Sequence, residues 1–224
     1  MSDNHYNTIG ASYNNTRKAD PEIADTLQAL LECEVGKTYL DIGCGTGNYT
    51  SLFAERGFRF IGVDPSTYML SQAKMRNDSI EWREGAAEGI PAVDGEFDGA
   101  IATLTVHHWE DMHLGFKELR RVVKPGGRIV IFTSTPEQMR GYWLNHYFPN
   151  MMQASMLQMP TYLAIQTAAR SAGIEFLGKQ NYSVSTKLQD HFLYVGKHNP
   201  EVYFDENVRA GISSFSLLAN AGEV

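Results

Sequence analysis

The sequence is short of cysteine, of positive charge and of long apolar runs. Cys33 and Cys44 are its only cysteines, too few for a disulfide framework and without the spacing of a zinc site. Nineteen Lys and Arg stand against 26 Asp and Glu, a formal net charge of −7. Such a balance gives no general attraction to phosphate backbones, so nucleic acid is not expected as a partner, a local basic patch aside. No run approaches the ~20 apolar residues of a membrane span. The first residues, Met1, Ser2, Asp3, Asn4 and His5, are polar and carry no signal-peptide core. A soluble, cytosolic protein without membrane association is expected. No internal repeat or low-complexity tract is present either. What remains is enough for one core, since 224 residues in a single domain bury roughly 70% of their unfolded surface.

The chain is organised around residues 38–48, T-Y-L-D-I-G-C-G-T-G-N. A short β-prone run ending at Ile42 leads into Gly43, Cys44, Gly45, Thr46 and Gly47, and a helical pattern begins at Tyr49. A strand, a glycine loop and a helix in that order set backbone N–H groups and a helix N-terminus against a ligand. A tight strand-to-helix turn with no ligand reads the same way. The loop is G-x-G-x-G with Asn48 completing the span, which departs from the G-x-G-x-x-G of dinucleotide sites. Asp41 points the same way, because a carboxylate at that strand end repels a pyrophosphate and suits a ligand carrying an ammonium and a sulfonium. A second strand, 58–63, ends at Asp64, 23 positions after Asp41. An acid there accepts both hydroxyls of an adenosine ribose, a role compatible with capping the helix that follows Pro65 and Ser66. Met69, in that helix, is a candidate cover for an adenine face or a core side chain.

A third strand is expected over 80–84. A nearly all-apolar fourth strand over 96–104 follows, as a central parallel strand should read. Thr103 and Leu104 lie at its carboxyl end, where such sheets place their chemistry. His107, His108 and Trp109 come next, and Asp111 caps a helix whose Met112, Phe116, Leu119 and Val123 share a face. Lys124, Pro125, Gly126 and Gly127 form a turn before a fifth strand over 128–133. The cluster of His107, His108, Glu110, Asp111 and His113 has metal-ligand chemistry. Adjacent histidines on extended backbone point to opposite sides, however, so no metal is expected. One of the two is a candidate general base, since its ordinary pKa lies near neutrality; the other is structural. Asp20-Pro21-Glu22 opens an early helix with Ile23, Leu27, Leu30 and Leu31 on one face. The stretch 138–159 is rich in aromatics and methionine (Tyr142, Trp143, Tyr147, Phe148, Met151, Met152, Met156, Met159). It suits an apolar or aromatic small molecule, or helix and subunit packing. A helix from Pro160 stops at Gly173, strands are expected over 174–177, 182–184 and 191–195, and Asp205 starts a last helix.

From Leu40 to Thr133 the chain resembles the class I S-adenosylmethionine-dependent methyltransferases. Asp41, Gly43, Gly45 and Gly47 match their D-x-G-x-G-x-G motif, and F-D-x-(apolar), H-H-W and R-V-V-K-P-G-G-R follow in order. The resemblance implies a three-layer α/β sandwich with a mostly parallel seven-stranded sheet of order 3-2-1-4-5-7-6. It implies S-adenosylmethionine as cofactor and methyl transfer to a small-molecule acceptor. The domain then divides into an N-terminal lid and first helix (1–36), a cofactor-binding core (37–135), a substrate cover (136–172) and C-terminal strands and helix (173–224). Tyr13 and Arg17 are the lid residues expected to close on the cofactor carboxylate, or else part of an ordinary surface segment. Relatives commonly read G-D-A-x-x-L-P after the third strand, with the Asp on the adenine amino group. Here Ala86 stands in that place, leaving the Ala87 backbone or Glu88 to substitute. The usual closing hairpin would come from the 191–195 segment, or the chain is shorter than the full protein. A non-catalytic cofactor-binding module and an NAD-dependent oxidoreductase remain as alternatives. The latter lacks the third-glycine spacing and an evident Tyr-x-x-x-Lys pair.

Overall fold

The computed structural model describes residues 16–219 and Gly222. The early helix forms as its cap predicts. The Asp20 carboxylate accepts the Glu22 and Ile23 amides, Pro21 fills the first turn of α1 (Pro21–Leu31), and Ile23, Ala24, Leu27 and Leu31 are buried. Five strands and three helices follow: β1 (Thr38–Ile42), α2 (Asn48–Glu55), β2 (Arg59–Asp64), α3 (Thr67–Arg76), β3 (Trp82–Glu84), β4 (Phe97–Thr103), α4 (Met112–Val122) and β5 (Val123–Phe132). The sheet runs β3-β2-β1-β4-β5, all parallel, with Leu40 opposite Ile61 on one side and Ala100 on the other.

Alternate residues of these strands feed two cores, which makes the three layers. Tyr39, Phe60 and Ile101 pack with Phe53 of α2 and Ile23 and Leu27 of α1. Leu40, Ile61, Ala100 and Ala102 pack against Phe116 and Leu119 of α4 and Ile165 and Ala168 of α8 (Tyr162–Ser171). Helices α5 (Pro136–Arg140), α6 (Leu144–Tyr147) and α7 (Pro149–Gln158) and the short α9 (Glu206–Ala210) belong to a third cluster. There Met139, Leu144, Met151 and Met152 meet Tyr203, Val208, Ile212 and Phe215. Met151 and Met152 are fully buried, so these two methionines are core and not lining.

The sheet has five strands among the described residues, and not the expected seven. Ile174, Phe176, Tyr182 and Val184 do alternate with exposed neighbours, but no ladder forms. Gly178 breaks the run at φ +147°. Phe176 stacks edge-on against Tyr162 of α8 with ring centres 5.5 Å apart, and Lys179 lies over the same ring. Side chains hold the segment to α8 in place of backbone pairing with β5. Residues 191–195 form turns, tied to the N-terminal side by the His191 amide donating to Thr16 C=O.

Candidate active site

The three loop glycines have three different duties. A Cβ on Gly43 would stand 2.0 Å from Thr105 Oγ1, and one on Gly47 would stand 2.3 Å from the Trp82 ring. Both are glycine because neighbouring side chains occupy the space. Gly45, at φ +55°, has nothing within 4 Å of where its Cβ would be. It alone of the three leaves room for a ligand against its backbone.

The loop amides are engaged from within. Gly43 and Cys44 donate to Val63 C=O at 2.7 and 3.1 Å, and Gly47 donates to Cys44 C=O. Gly45 donates to Asp64 Oδ2 at 2.8 Å, and Asp64 Oδ1 accepts the Ser66 amide. A pyrophosphate site needs those amides pointing at the ligand; here four residues of the loop spend them on protein oxygens. What the strand ends present is negative. Asp64 is 8% exposed at the end of β2, and Asp41 is buried at the end of β1. Asp41 accepts a bond from Thr50 Oγ1 at 2.6 Å. Burial raises its pKa to about 7 against the Thr50 bond, with the neighbouring Asp64 charge adding to the rise. A nearby cation would restore its charge. Burial likewise pushes the Cys44 thiol well up. These residues fit an adenosine cofactor that carries positive charge and do not fit a dinucleotide.

The carboxyl end of β4 carries the second half of the site. Leu104 adopts φ +54°, a region that costs a non-glycine residue on the order of 1–2 kcal/mol, and its amide is fixed to Phe132 C=O. Thr105, packed into the space left by Gly43, starts a 3₁₀ turn over Val106–His108. The turn brings the His107 and His108 rings together, centres 3.9 Å apart, where extended backbone would have separated them. His107 is driven down to about 3 by burial first, then by the His108 and Arg17 charges. His108 is lowered by burial alone, and its more exposed ring makes this the weaker effect. His107 is therefore neutral at physiological pH, and its Nδ1 is buried without a partner. Both histidines, with Arg17, Leu104, Ser134, Met139, Ser155, Met159 and Tyr194, line a recess of about 90 Å³. No group of three His, Cys, Asp or Glu among the described residues is arranged to hold a metal ion.

The expected site residues thus fall into two adjoining groups. Asp41, the glycine loop and Asp64, with Pro65 exposed beyond it, form the first; Leu104, the histidines and Arg17 form the second. Thr103 Oγ1 is buried and unpaired between them in sequence. Ser66 caps α3 through Met69 N, and Met69 is a buried core side chain. Ala86 pairs with Gly89 across a tight turn and Ala87 is buried. Glu88 accepts the Asp111 amide at 3.0 Å and ties the loop to α4. Arg17 sends Nε to Asp190 Oδ1 at 2.5 Å, and Tyr49 donates to the same carboxylate. Asp190, 2% exposed, needs that counter-charge, so Arg17 sits against a protein acid where a cofactor acid was expected. Tyr13 lies outside the described residues. Trp82, Thr50, Ser155 and Asp190 were not legible as site residues. Each gains its role from a partner far along the chain and carries no local motif.

A parallel doubly wound sheet with a glycine loop after β1 and an acid at the end of β2 defines a nucleoside-cofactor binding protein. Comparison with known proteins narrows this class. A family profile described as a methyltransferase domain matches residues 40–131. A crystal structure from Anabaena variabilis, assigned as a methyltransferase from an antibiotic biosynthesis pathway, is similar over 93% of this chain and 83% of its own. The identity is 32% and the TM-score 0.85. Demethylmenaquinone methyltransferase of Beutenbergia cavernae is 27% identical over 70% of this chain and 72% of its own. The malonyl-acyl-carrier-protein O-methyltransferase of Serratia marcescens is 29% identical over 57% of this chain. The match spans half of that protein's length, and less than that of a bifunctional biotin-biosynthesis relative. The chain belongs to the class I S-adenosylmethionine-dependent methyltransferases, whose cofactor is S-adenosylmethionine.

Proposed function

We propose that the chain transfers a methyl group from S-adenosylmethionine to a small-molecule acceptor seated in the recess beside His107. The observation that carries the reading is the loop whose amides are spent on Val63, Cys44 and Asp64, leaving buried carboxylates and the open backbone at Gly45 to meet a cationic adenosine compound. Asp64 would take the ribose hydroxyls and Asp41 the positive end. When bound, the cofactor supplies an electrophilic methyl on its sulfonium. The chain's own task is then mainly placement, which can supply roughly 7–11 kcal/mol of the barrier. Leu104, held left-handed by its bond to Phe132 C=O, walls the recess together with Arg17, whose guanidinium is paired with Asp190. Burial holds His107 neutral and makes it a weak base, so its ring serves as a hydrogen-bonding group for the acceptor and not as its general base. The unpaired thiols of Cys33 and Cys44 support a reducing, cytosolic setting. An apolar or aromatic acceptor fits the Met139 and Met159 walls.

Calorimetric titration with S-adenosylhomocysteine, NAD and NADP tests the reading, with Asp64→Ala as control. Selective binding of the first, lost in the control, is expected. Binding of NAD instead overturns it. A cofactor-binding module without catalysis would bind S-adenosylhomocysteine but methylate nothing in an acceptor screen.

A further inference from the structure

Three residues that line the recess beside His107, namely Ser155, His107 and Tyr194, carry a buried polar atom with no hydrogen-bond partner. Ser155, on α7, is 4% exposed, and its Oγ has no hydrogen bond; nor has His107 Nδ1. Both residues line the same recess, whose apolar walls include Met139, Met159, Phe192 and Ile212. A buried hydroxyl without a partner costs about 1–3 kcal/mol, so an unpaired serine in a wall of methionine, phenylalanine and isoleucine is unfavourable for folding alone. Alanine at that position of α7 would pack as well and cost nothing. The two groups are also complementary. A neutral imidazole nitrogen lacking a proton only accepts, whereas a serine hydroxyl both donates and accepts. A ligand hydroxyl suits either group, donating to an imidazole nitrogen that lacks a proton or accepting from the serine. At about 90 Å³ the recess is smaller than the roughly 150 Å³ cavity that encloses a benzene ring. It is open on one side, so a ring-sized ligand seats its polar end inside and extends its apolar body outward.

We propose that the recess is a hydroxyl-recognition subsite, in which Ser155 and His107 together select an acceptor bearing an alcohol or phenol on a compact apolar frame. This rests on the methyltransferase reading for the role of the site but not for its detection, because the test is binding and not turnover. Phenol, anisole and toluene share one ring and differ in the hydroxyl, which is present, capped or removed. Their dissociation constants are measured by ligand-observed NMR, on the protein alone and with saturating S-adenosylhomocysteine. Phenol is expected to bind at least about tenfold more tightly than either control, as a site with unpaired polar groups discriminates. The preference should fall below about threefold in Ser155→Ala, a substitution that removes an unpaired hydroxyl and so keeps the fold. His107→Phe, which keeps ring volume, should lose it as well.

Equal binding of phenol and toluene overturns the proposal, as does a preference that survives in both variants or the binding of none of the three. A failure to bind S-adenosylhomocysteine would instead overturn the cofactor reading, with the phenol preference still reporting on the subsite.

Discussion

Asp41→Asn separates the cost of the buried carboxylate from its use. The folded carboxyl keeps its proton up to about 7, whereas the unfolded chain releases it near the ordinary 3.8. Across that window the folded state binds more protons. The stability this group contributes is therefore fully present below about pH 4 and is lost as pH rises through 7. At about 1.36 kcal/mol per tenfold change in affinity for the proton, the whole cost has a ceiling of about 4 kcal/mol, of which roughly 2–3 kcal/mol falls between pH 5 and pH 8. Asparagine carries no charge and keeps an oxygen for Thr50 Oγ1, now 2.6 Å away. Its amide donors lack ready partners and return part of the gain. The variant without ligand should thus be more stable than wild type at pH 8 by about 1–2 kcal/mol, a melting rise of roughly 2–8 °C for a chain of this size. That advantage should vanish or reverse by pH 5. The same variant should bind S-adenosylhomocysteine at least about tenfold more weakly at pH 8, because the ammonium loses its counter-charge. Thermal unfolding from pH 5 to 8.5 and calorimetry at pH 8 supply both numbers. A variant that is less stable at pH 8 with no pH-dependent difference, or that binds as tightly as wild type, refutes the reasoning.

Gly45→Ala and Gly47→Ala should diverge. The first places a methyl in open space and should cost about 1 kcal/mol of backbone strain while weakening cofactor binding at least tenfold. The second drives a methyl into Trp82 and should cost about 2–3 kcal/mol of stability; denaturant melts and calorimetry on both tell them apart. Arg17→Ala leaves Asp190 charged and buried and should destabilise by about 3 kcal/mol, more than Asp190→Asn does, as chemical denaturation will show. By NMR, His107 should stay neutral down to pH 5 and titrate near 3, and a midpoint at 6–7 would contradict its burial. Since the unfolded imidazole protonates near 6.5 and the folded one does not, this residue's contribution to stability is lost as pH falls below about 6.5.

The parallel core was legible because its signals are local and periodic. Apolar runs bounded by Gly and Pro placed β1 to β5 within two residues at most boundaries, apart from β5, which begins earlier than the Gly126-Gly127 turn implied. Capping residues placed α1 and α4. The missing strands failed on the same logic carried too far. Ile174 and Phe176 have strand alternation, but whether a strand forms depends on backbone pairing with β5, and the aromatic contacts to Tyr162 decided against it. The histidines were misplaced for a related reason. Alternation assumes extended backbone, and after Thr105, which is pressed against Gly43, the chain forms a 3₁₀ helix that brings the two rings together at a tilt of 45°.

The glycine motif shows why sequence reached the cofactor more readily than the acceptor. Its spacing answers three local demands, a side chain over Gly43, an indole over Gly47 and open space at the backbone of Gly45, and all three must be met by one short loop. Such a constraint leaves a regular pattern. The recess beside His107 has no such economy. Arg17, Leu104 with His107, Ser155, Phe192 and Ile212 come from five separated stretches, and each only has to be near the others once the cover has packed on Tyr203 and Phe215. Its chemistry is therefore written in which polar atoms the finished fold leaves without partners. Ser155 in a helix of methionines reads as an ordinary helical serine until its hydroxyl is found buried and unpaired in a residue that lines the same recess as His107.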